Sequence, residues 1–351
     1  MVVGLGLAGI SFCETVEVHG KSFQLISDRS QKASRVAGGM YNAVILKRFT
    51  LAWKAREQLE LALPFYQALE HKLGVVLDHR IPVLRRFNST QEQNAWFEAM
   101  DRPGLDWFLS PDIVSNSNPK IDAPFGFGEV FHTGKIDTGL LVKTYGHYLE
   151  ERGHLTWESF DFSALKLFDG YLEYKGNRYR NLVMACGYGL KEDPYFGYLP
   201  LNGTKGELLT IKASNLREEH IIKGSVFIIP LGDALYQVGS TYKWKDKDNM
   251  PTKASKAELL EKLDGFLKCK YRVVDHKAGV RPTVVDRKPL VGRHPLHKNL
   301  YVLNGMGSRG VLIAPYAAKQ LFGYIEQGIP MDKGIDIERF AEKYYSGATM
   351  P

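Results

Sequence analysis

The chain opens MVVGLGLAGISF over residues 1–12, with Gly4, Gly6 and Gly9 spaced G-x-G-x-x-G. An apolar, glycine-bearing start fits either an export signal or the first turn of a nucleotide-binding fold. An export signal needs a basic start, an apolar run and a small-residue cleavage site. Here the first Lys is Lys21, Glu14 and Glu17 interrupt the apolar run, and no A-x-A-like site follows. A dinucleotide-binding unit needs a strand, the glycine turn, a helix, a second strand and an acid at its end. Helix-compatible residues run from Leu7 and Ala8 towards Val18, and SFQLIS (residues 22–27) reads as a short strand with Asp28 at its end. That is close to the roughly 20-residue interval such units show. The first glycine makes the tight turn, the second lets the backbone approach a pyrophosphate, and the third lets helix and strand pack closely. The helix N-terminus then offers free N–H groups to phosphate, and Asp28 can accept from a ribose. The plainer alternative is a buried strand and helix carrying chance glycines. The strand before Gly4 is only Met1–Val3, shorter than usual, which leaves open a native start upstream or a frayed strand.

At 351 residues the chain is long enough for two domains. Its 44% hydrophobic and 24% charged residues are those of an ordinary globular protein. No run approaches the roughly 18 apolar residues of a membrane span. Cys13, Cys186 and Cys269 are few and far apart, which argues against a disulfide framework and fits a reducing, cytoplasmic setting. The net charge of +7 suits an anionic cofactor, an acidic substrate or RNA. A plain excess of surface lysine is the simpler reading, and nucleic acid is not the favoured partner. The local basic cluster of Lys243, Lys245 and Lys247 reads as neutralised by Asp246 and Asp248. The histidine pair of HPLH (His294, His297) reads as turn surface rather than a metal site, so no metal is expected.

Along the chain, Ser34–Phe49 begins as a glycine-rich loop, and a long helical pattern covers about Thr50–His71, with Pro64 inside it. Residues 75–87 read as strands broken at Pro82, and STQEQNAWFEAM (89–100) as a helix capped by Ser89 or Thr90. Residues 102–124 are rich in Pro, Asp, Ser and Asn and read as loop. A strand (128–134), an amphipathic helix ending at Gly153, a strand (154–160), a hairpin turning at Asp169-Gly170 and a buried strand ending at Ala185-Cys186-Gly187 follow. Residues 205–242 read as strands, 253–267 as a helix, and 301–325 as strand, glycine turn and helix. The ends of the chain thus read as α/β with β-rich material between them, so the expected fold is α/β with a discontinuous cofactor domain assembled from N-terminal, middle and C-terminal segments.

Four stretches then point one way: GLGLAG with Asp28, SRVAGGMYN (34–42), GVRPTVVDRKPLVG (279–292) and NGMGSRGV (304–311). In this order the chain resembles the D-amino-acid oxidase and glycine oxidase superfamily of FAD-dependent oxidoreductases. The resemblance implies a discontinuous Rossmann-like FAD-binding domain from residues 1–75, 130–190 and 275–351, and a second, mixed β-sheet substrate-binding domain (α+β) from 76–129 and 191–274. It implies that Gly4, Gly6, Leu7, Ala8 and Gly9 hold the FAD pyrophosphate and that Asp28, with Arg29, holds the adenosine ribose. Ser34, Arg35, Ala37, Gly38, Gly39 and Asn42 would pass beside the flavin, Phe160 would lie by the adenine, and Ala185, Cys186 and Gly187 by the dinucleotide. Gly305, Met306, Gly307, Ser308, Arg309, Gly310 and Val311 would aim N–H groups at the pyrimidine end of the flavin.

In this resemblance the arginine of G-x-R-P, Arg281, reaches the substrate carboxylate, as a planar, permanent fork suits; bracing of the sheet is the alternative. Arg309 has a similar claim or caps a turn. Tyr242 lines the substrate pocket or is an ordinary edge tyrosine. Lys47 and Arg48 face the cofactor or sit at a solvated helix start. Ala43 replaces a frequent Pro, Lys205-Gly206 a frequent Arg-Gly, and residues 281–292 hold no Cys for a covalent link, so non-covalent FAD is expected. The implied activity is hydride transfer from an amine or amino-acid Cα–H to flavin N5, with oxygen or a quinone as electron acceptor. Three alternatives stand beside it: wobble-uridine modification of tRNA by the same amine chemistry, a hydroxy-acid dehydrogenase on the same scaffold, and a non-catalytic nucleotide-binding protein.

Overall fold

A computed structural model describes residues 1–342. Its first strand is the buried pair Val2–Val3, as short as the sequence suggests, followed by the helix Leu7–Val18 and the strand Leu25–Ser27. Val2–Val3 pairs in parallel with Leu25–Ile26 on one side and Val183–Met184 on the other. Leu155–Trp157 extends the sheet beyond Leu25–Ser27, and Leu300–Asn304 extends it beyond Leu182–Met184. Leu290–Arg293 closes it as an antiparallel sixth strand. Chain order therefore reverses at Val2–Val3, the switch point beside which open α/β sheets bind ligands at the carboxyl ends of their strands. Three parts of the chain, far apart in sequence, build this one sheet. The helix Leu7–Val18 packs on Gly310–Gln327, which packs in turn on Ala55–Leu73.

The second large sheet has eight strands. Their order is Arg272–Arg281, Thr204–Lys212, Leu235–Gly239, Phe227–Gly232, Ile221–Lys223, Val83–Arg86, Phe127–Val130 and Leu109–Val114. Ile221–Lys223 pairs in parallel with Val83–Arg86 and its other neighbours pair antiparallel, so the sheet is mixed as expected. Strand alternation separates its faces. Leu209, Ile211, Ile222, Ile228 and Val238 bury against Leu259 and Leu263 of the helix Lys253–Asp264. Leu208, Phe227 and Lys223 turn to the other side. No helix among the described residues is long and apolar enough to cross a membrane.

Several local expectations hold. Ser89 caps Thr90–Met100 by accepting from the Glu92 N–H at 3.3 Å, and Leu165–Leu167 and Leu172–Tyr174 form the hairpin around Asp169-Gly170. Others are corrected. The helix of residues 50–71 starts at Ala55 and runs to Leu73. Thr50–Leu51 instead pairs with Val44–Ile45 in a tight hairpin, so Lys47 and Arg48 sit in its turn and not at a helix start. The 102–124 segment contains the strand Leu109–Val114 despite Pro111. It lies at the sheet edge, where a missing N–H leaves no central ladder bond unmade. His294 is buried, its ring 5.3 Å from that of Phe196, and is not turn surface. Asp246 and Asp248 pair with the wholly buried Lys205, at 2.5 and 2.6 Å, rather than with the lysines beside them. Lys243 instead pairs with Glu258 at 2.5 Å.

Candidate active site

The two large sheets and the helix N-termini between them enclose a cavity of about 1180 Å³. At one end its wall is mostly backbone. Gly4 has φ +110°, and a Cβ there would lie 2.5 Å from the Ala185 carbonyl oxygen. A Cβ on Gly9 would lie 1.9 Å from the Gly4 carbonyl oxygen, so the third glycine is what lets the helix start this close to the turn. Gly9 itself lies behind the wall, whereas Gly4, Gly6, Leu7 and Ala8 line it. The Ser34 hydroxyl accepts from the Leu7 N–H at 3.1 Å, tying the second loop to the helix N-terminus. Asp28 lines the same end, accepting from the Ser30 N–H and the Ser159 hydroxyl, both at 2.9 Å. Partial burial pushes its pKa up, but these hydrogen bonds outweigh it and hold the carboxyl below its usual range. Arg29, at φ +65°, stacks on Trp157 with 3.8 Å to the ring centroid. Phe160 lines the wall and stacks on Tyr174.

The middle of the cavity is closed by three loops. Gly39 has φ +67°, and a Cβ there would lie 1.9 Å from the Ile136 carbonyl oxygen, so the 34–42 loop can pass only with a glycine. Arg35, Ala37, Gly38 and Asn42 line the wall with it. Asn304 is buried and its amide donates to the Gly187 carbonyl at 3.0 Å, fastening the C-terminal turn to the Ala185–Gly187 turn. Cys186 lines the wall here, and burial pushes its thiol up. Gly305, Met306, Gly307, Ser308, Arg309, Gly310 and Val311 all line the cavity at the start of Gly310–Gln327. The first N–H groups of that helix have no partner within it. Arg309 donates to the carbonyls of Asn42 (2.8 Å) and Val44 (3.3 Å). The turn-capping role is therefore the one its bonds display.

The other end is walled by side chains. Arg281 ends the strand Arg272–Arg281, and its guanidinium donates to the Ser240 hydroxyl (2.8 Å) and the Thr241 carbonyl (3.3 Å). It lies 4.6 Å from the Tyr242 ring centroid. Among the described residues no carboxylate pairs with it. Burial lowers its pKa, with Tyr242 opposing. A Cβ on Gly206 would lie 2.0 Å from Arg281 Nη2, so the glycine of Lys205-Gly206 makes the room the guanidinium occupies. Tyr242 is 52% exposed and lines the mouth, with Trp244 beside it and Arg287 5.1 Å from the Trp244 ring. Sequence reasoning did not single out Ser240, Trp244 or Lys223, which also line the cavity. Their places depend on pairing across the sheet or on the loop that follows it, which no local spacing announces.

A family model described as FAD dependent oxidoreductase matches residues 1–322. The chain belongs to this FAD-dependent oxidoreductase family. Over 132 residues the oxidoreductase is 33% identical to the glycine oxidase of Pseudomonas putida, covering 35% of this chain and 34% of that protein. Over 173 residues it is 26% identical to the tRNA 5-methylaminomethyl-2-thiouridine biosynthesis bifunctional protein MnmC of Aromatoleum aromaticum, covering 43% of this chain and 27% of that protein. The chain thus spans about a third or less of the length of these two relatives. A glycine oxidase structure from Bacillus cereus superposes with a TM-score of 0.75 over 94% of this chain and 95% of that one, at 19% identity, which shows a shared fold. The enzyme's cavity fits the family's FAD: Gly4, Gly9 and Gly39 let the turns pack against neighbouring backbone, which leaves bare backbone on the wall, and two helix N-termini face the space.

Proposed function

We propose that the oxidoreductase oxidises the C–N bond of an amine or amino acid that carries a carboxylate. The observation that carries this reading is Arg281: a nearly buried guanidinium in the cavity wall, braced by Ser240 and Tyr242, with no carboxylate among the described residues to pair with. A fork in that state is a receptor for a carboxylate ligand. The Gly4–Gly9 turn and Asp28 would hold the pyrophosphate and ribose of FAD, and the 34–42 loop and Gly305–Val311 its flavin. FAD, bound non-covalently, supplies the hydride acceptor. The chain's own part is to bind and orient. Arg281 fixes the carboxylate, Gly206 gives it room, and Arg309 holds the Asn42–Val44 loop in place. Orientation of this kind is the main protein contribution in flavin chemistry. In this reading the six-stranded sheet is the cofactor unit and the eight-stranded sheet the substrate unit, so the boundary expected at 275 moves past Arg281, because the strand Arg272–Arg281 belongs to the eight-stranded sheet. Arg281 ends a strand of the latter.

The first test is the visible spectrum of the purified protein, native and denatured, followed by anaerobic titration with amino acids, N-alkyl amino acids and hydroxy acids. Flavin that leaves on denaturation and is bleached by the amines supports the reading. Bleaching by hydroxy acids alone, or by nothing, overturns it. Reoxidation by air against quinone then identifies the acceptor. A second reading, wobble-uridine modification, draws support from the match to the Aromatoleum protein and from exposed Trp244 beside Arg287 at the mouth. Its substrate would be a secondary amine bearing a carboxylate, so Arg281 keeps its part. Salt-sensitive tRNA binding, by release of counterions, separates the two.

A further inference from the structure

The charges lining the cavity are unevenly placed. Its carboxylates among the described residues are Asp28, Glu158, Glu192 and Asp193, all in segments that wall the dinucleotide end. The end that holds Arg281 is lined by Lys47, Arg48, Lys223, Arg287 and Arg309 as well, and by no carboxylate among the described residues. Arg309 is spent on carbonyls, Lys47 and Arg48 lie exposed in their hairpin turn, and Arg287 lies exposed at the mouth over Trp244. Lys223 differs from these. It is half-buried and sits at the end of Ile221–Lys223 opposite Phe227, with no hydrogen-bonded or ion-paired acceptor for its ammonium among the described residues. Its charged neighbours are cations: Arg85 on the adjoining strand, already paired with Glu92, and Lys262 of the outer helix, already paired with Glu258 at 2.6 Å. Phe227 in turn reaches the 34–42 loop, lying 3.4 Å from where a Gly38 Cβ would be.

The register places Lys223 relative to Arg281. Leu208 pairs with Gly239, Gly239 with Phe227 and Phe227 with Lys223. The Arg281 guanidinium lies over Gly206, one pleat along the strand from Leu208 and on the same face. Gly206, beneath the guanidinium, and Lys223 are separated by three inter-strand steps of about 4.8 Å, roughly 14 Å across the sheet, and by two residues, roughly 7 Å, along the strands. The side chains can shorten that gap to the span of one small molecule with an anion at each end. A lone ammonium, with no fork and no nest of N–H groups beside it, suits a carboxylate better than a phosphate.

We propose that Lys223 is a second anion-binding group of this site, and that the substrate amine carries a second carboxylate on the far side of its nitrogen from the one held by Arg281. This rests on the amine–carboxylate reading above. Burial, with Arg85 and Lys262 adding to it, lowers the Lys223 pKa to about 8, as for an ammonium awaiting a counter-charge.

The test uses the FAD-loaded enzyme and two sulfur probes that cannot react as amines: (methylthio)acetate, with one carboxylate, and thiodiacetate, with one at each end. Dissociation constants come from the perturbation of the flavin spectrum. Thiodiacetate is expected to bind about tenfold tighter, the scale of one added charge-assisted contact. Lys223→Met should abolish that preference and leave (methylthio)acetate binding and FAD content unchanged, whereas Arg281→Met weakens both probes. Equal binding of the two probes to the unaltered enzyme, or an undiminished preference in Lys223→Met, overturns the second subsite alone. Failure of both probes to bind a FAD-loaded enzyme overturns the amine–carboxylate reading and the subsite with it. If Lys223→Met does not fold, Lys223→Gln, which keeps a polar head without the charge, is read in its place. Salt-sensitive tRNA binding together with equal probe binding would assign the cations to a nucleic-acid surface instead.

Discussion

At the dinucleotide end of the cavity the decisive groups are glycines and helix N-termini; at the substrate end they are long cationic side chains from separate strands. Gly4 and Gly9 matter because of atoms within a few residues of them or one strand away. Arg281 and Lys223 matter because four inter-strand steps of one sheet bring them to one wall. The first kind of site is intolerant of added volume and indifferent to side-chain chemistry. The second tolerates volume and depends on charge. On the proposed reading, the cofactor would be held by backbone shape, and the substrate chosen by side chains that can be exchanged without disturbing the fold.

Substitutions can break this contrast. The largest effect is expected from Gly9→Val. With the Gly4 carbonyl 1.9 Å from the new Cβ, the turn must open, and FAD affinity should fall by about 100-fold or more, as rigid backbone clashes are not relieved locally. Fluorescence titration with FAD measures it, and unchanged affinity would show that the turn does not form the cofactor wall. Arg281→Met should raise the KM for carboxylate substrates by about 100-fold, the scale of a lost charged contact, while FAD content stays constant. Loss of FAD with substrate affinity intact would reassign Arg281 to the cofactor.

Gly206→Ala sharpens the contrast, because its clash is with the far end of a flexible side chain. The protein should fold, bind FAD and melt normally, yet show KM raised by about tenfold, since a displaced fork loses its bidentate geometry. An unchanged KM would mean that Arg281 has another productive position. The smallest effect is expected from pH. Lys223 is charged below its lowered pKa of about 8, so the preference for a dicarboxylate probe should be full at pH 7 and decline by a few-fold as pH rises through that value. The arginines facing the same wall stay charged there, so binding of the monocarboxylate should stay flat. A flat preference up to pH 9.5 would remove Lys223 from the site.

The strand–glycine turn–helix–strand of residues 2–27 was legible because each of its requirements is local: a left-handed turn, a close approach, an acid after the second strand. The same holds for the C-terminal turn at Gly305–Val311. The hairpin at Val44–Leu51 and the edge strand Leu109–Val114 were not, because short pieces with weak periodicity take their pairing from neighbours. The ion pairs of Lys205 with Asp246 and Asp248 show the limit most plainly. Sequence proximity pointed to neutralisation of Lys243, Lys245 and Lys247, but the loop folds back so that its acids meet a lysine 41 and 43 residues away.

The sequence by itself determined that this chain builds a dinucleotide fold from its N-terminal, middle and C-terminal segments, and that its glycines, Asp28 and Arg281 come to one cavity. Those features depend on backbone sterics and on contacts within single βα units, which residue type and spacing encode directly. Only the tertiary structure decided which face of the eight-stranded sheet lines the cavity, that Gly206 makes room for Arg281, and that Lys223 stands across from it without a counter-charge among the described residues. Those facts depend on register and strand order, which many distant contacts fix together and no short stretch of sequence carries.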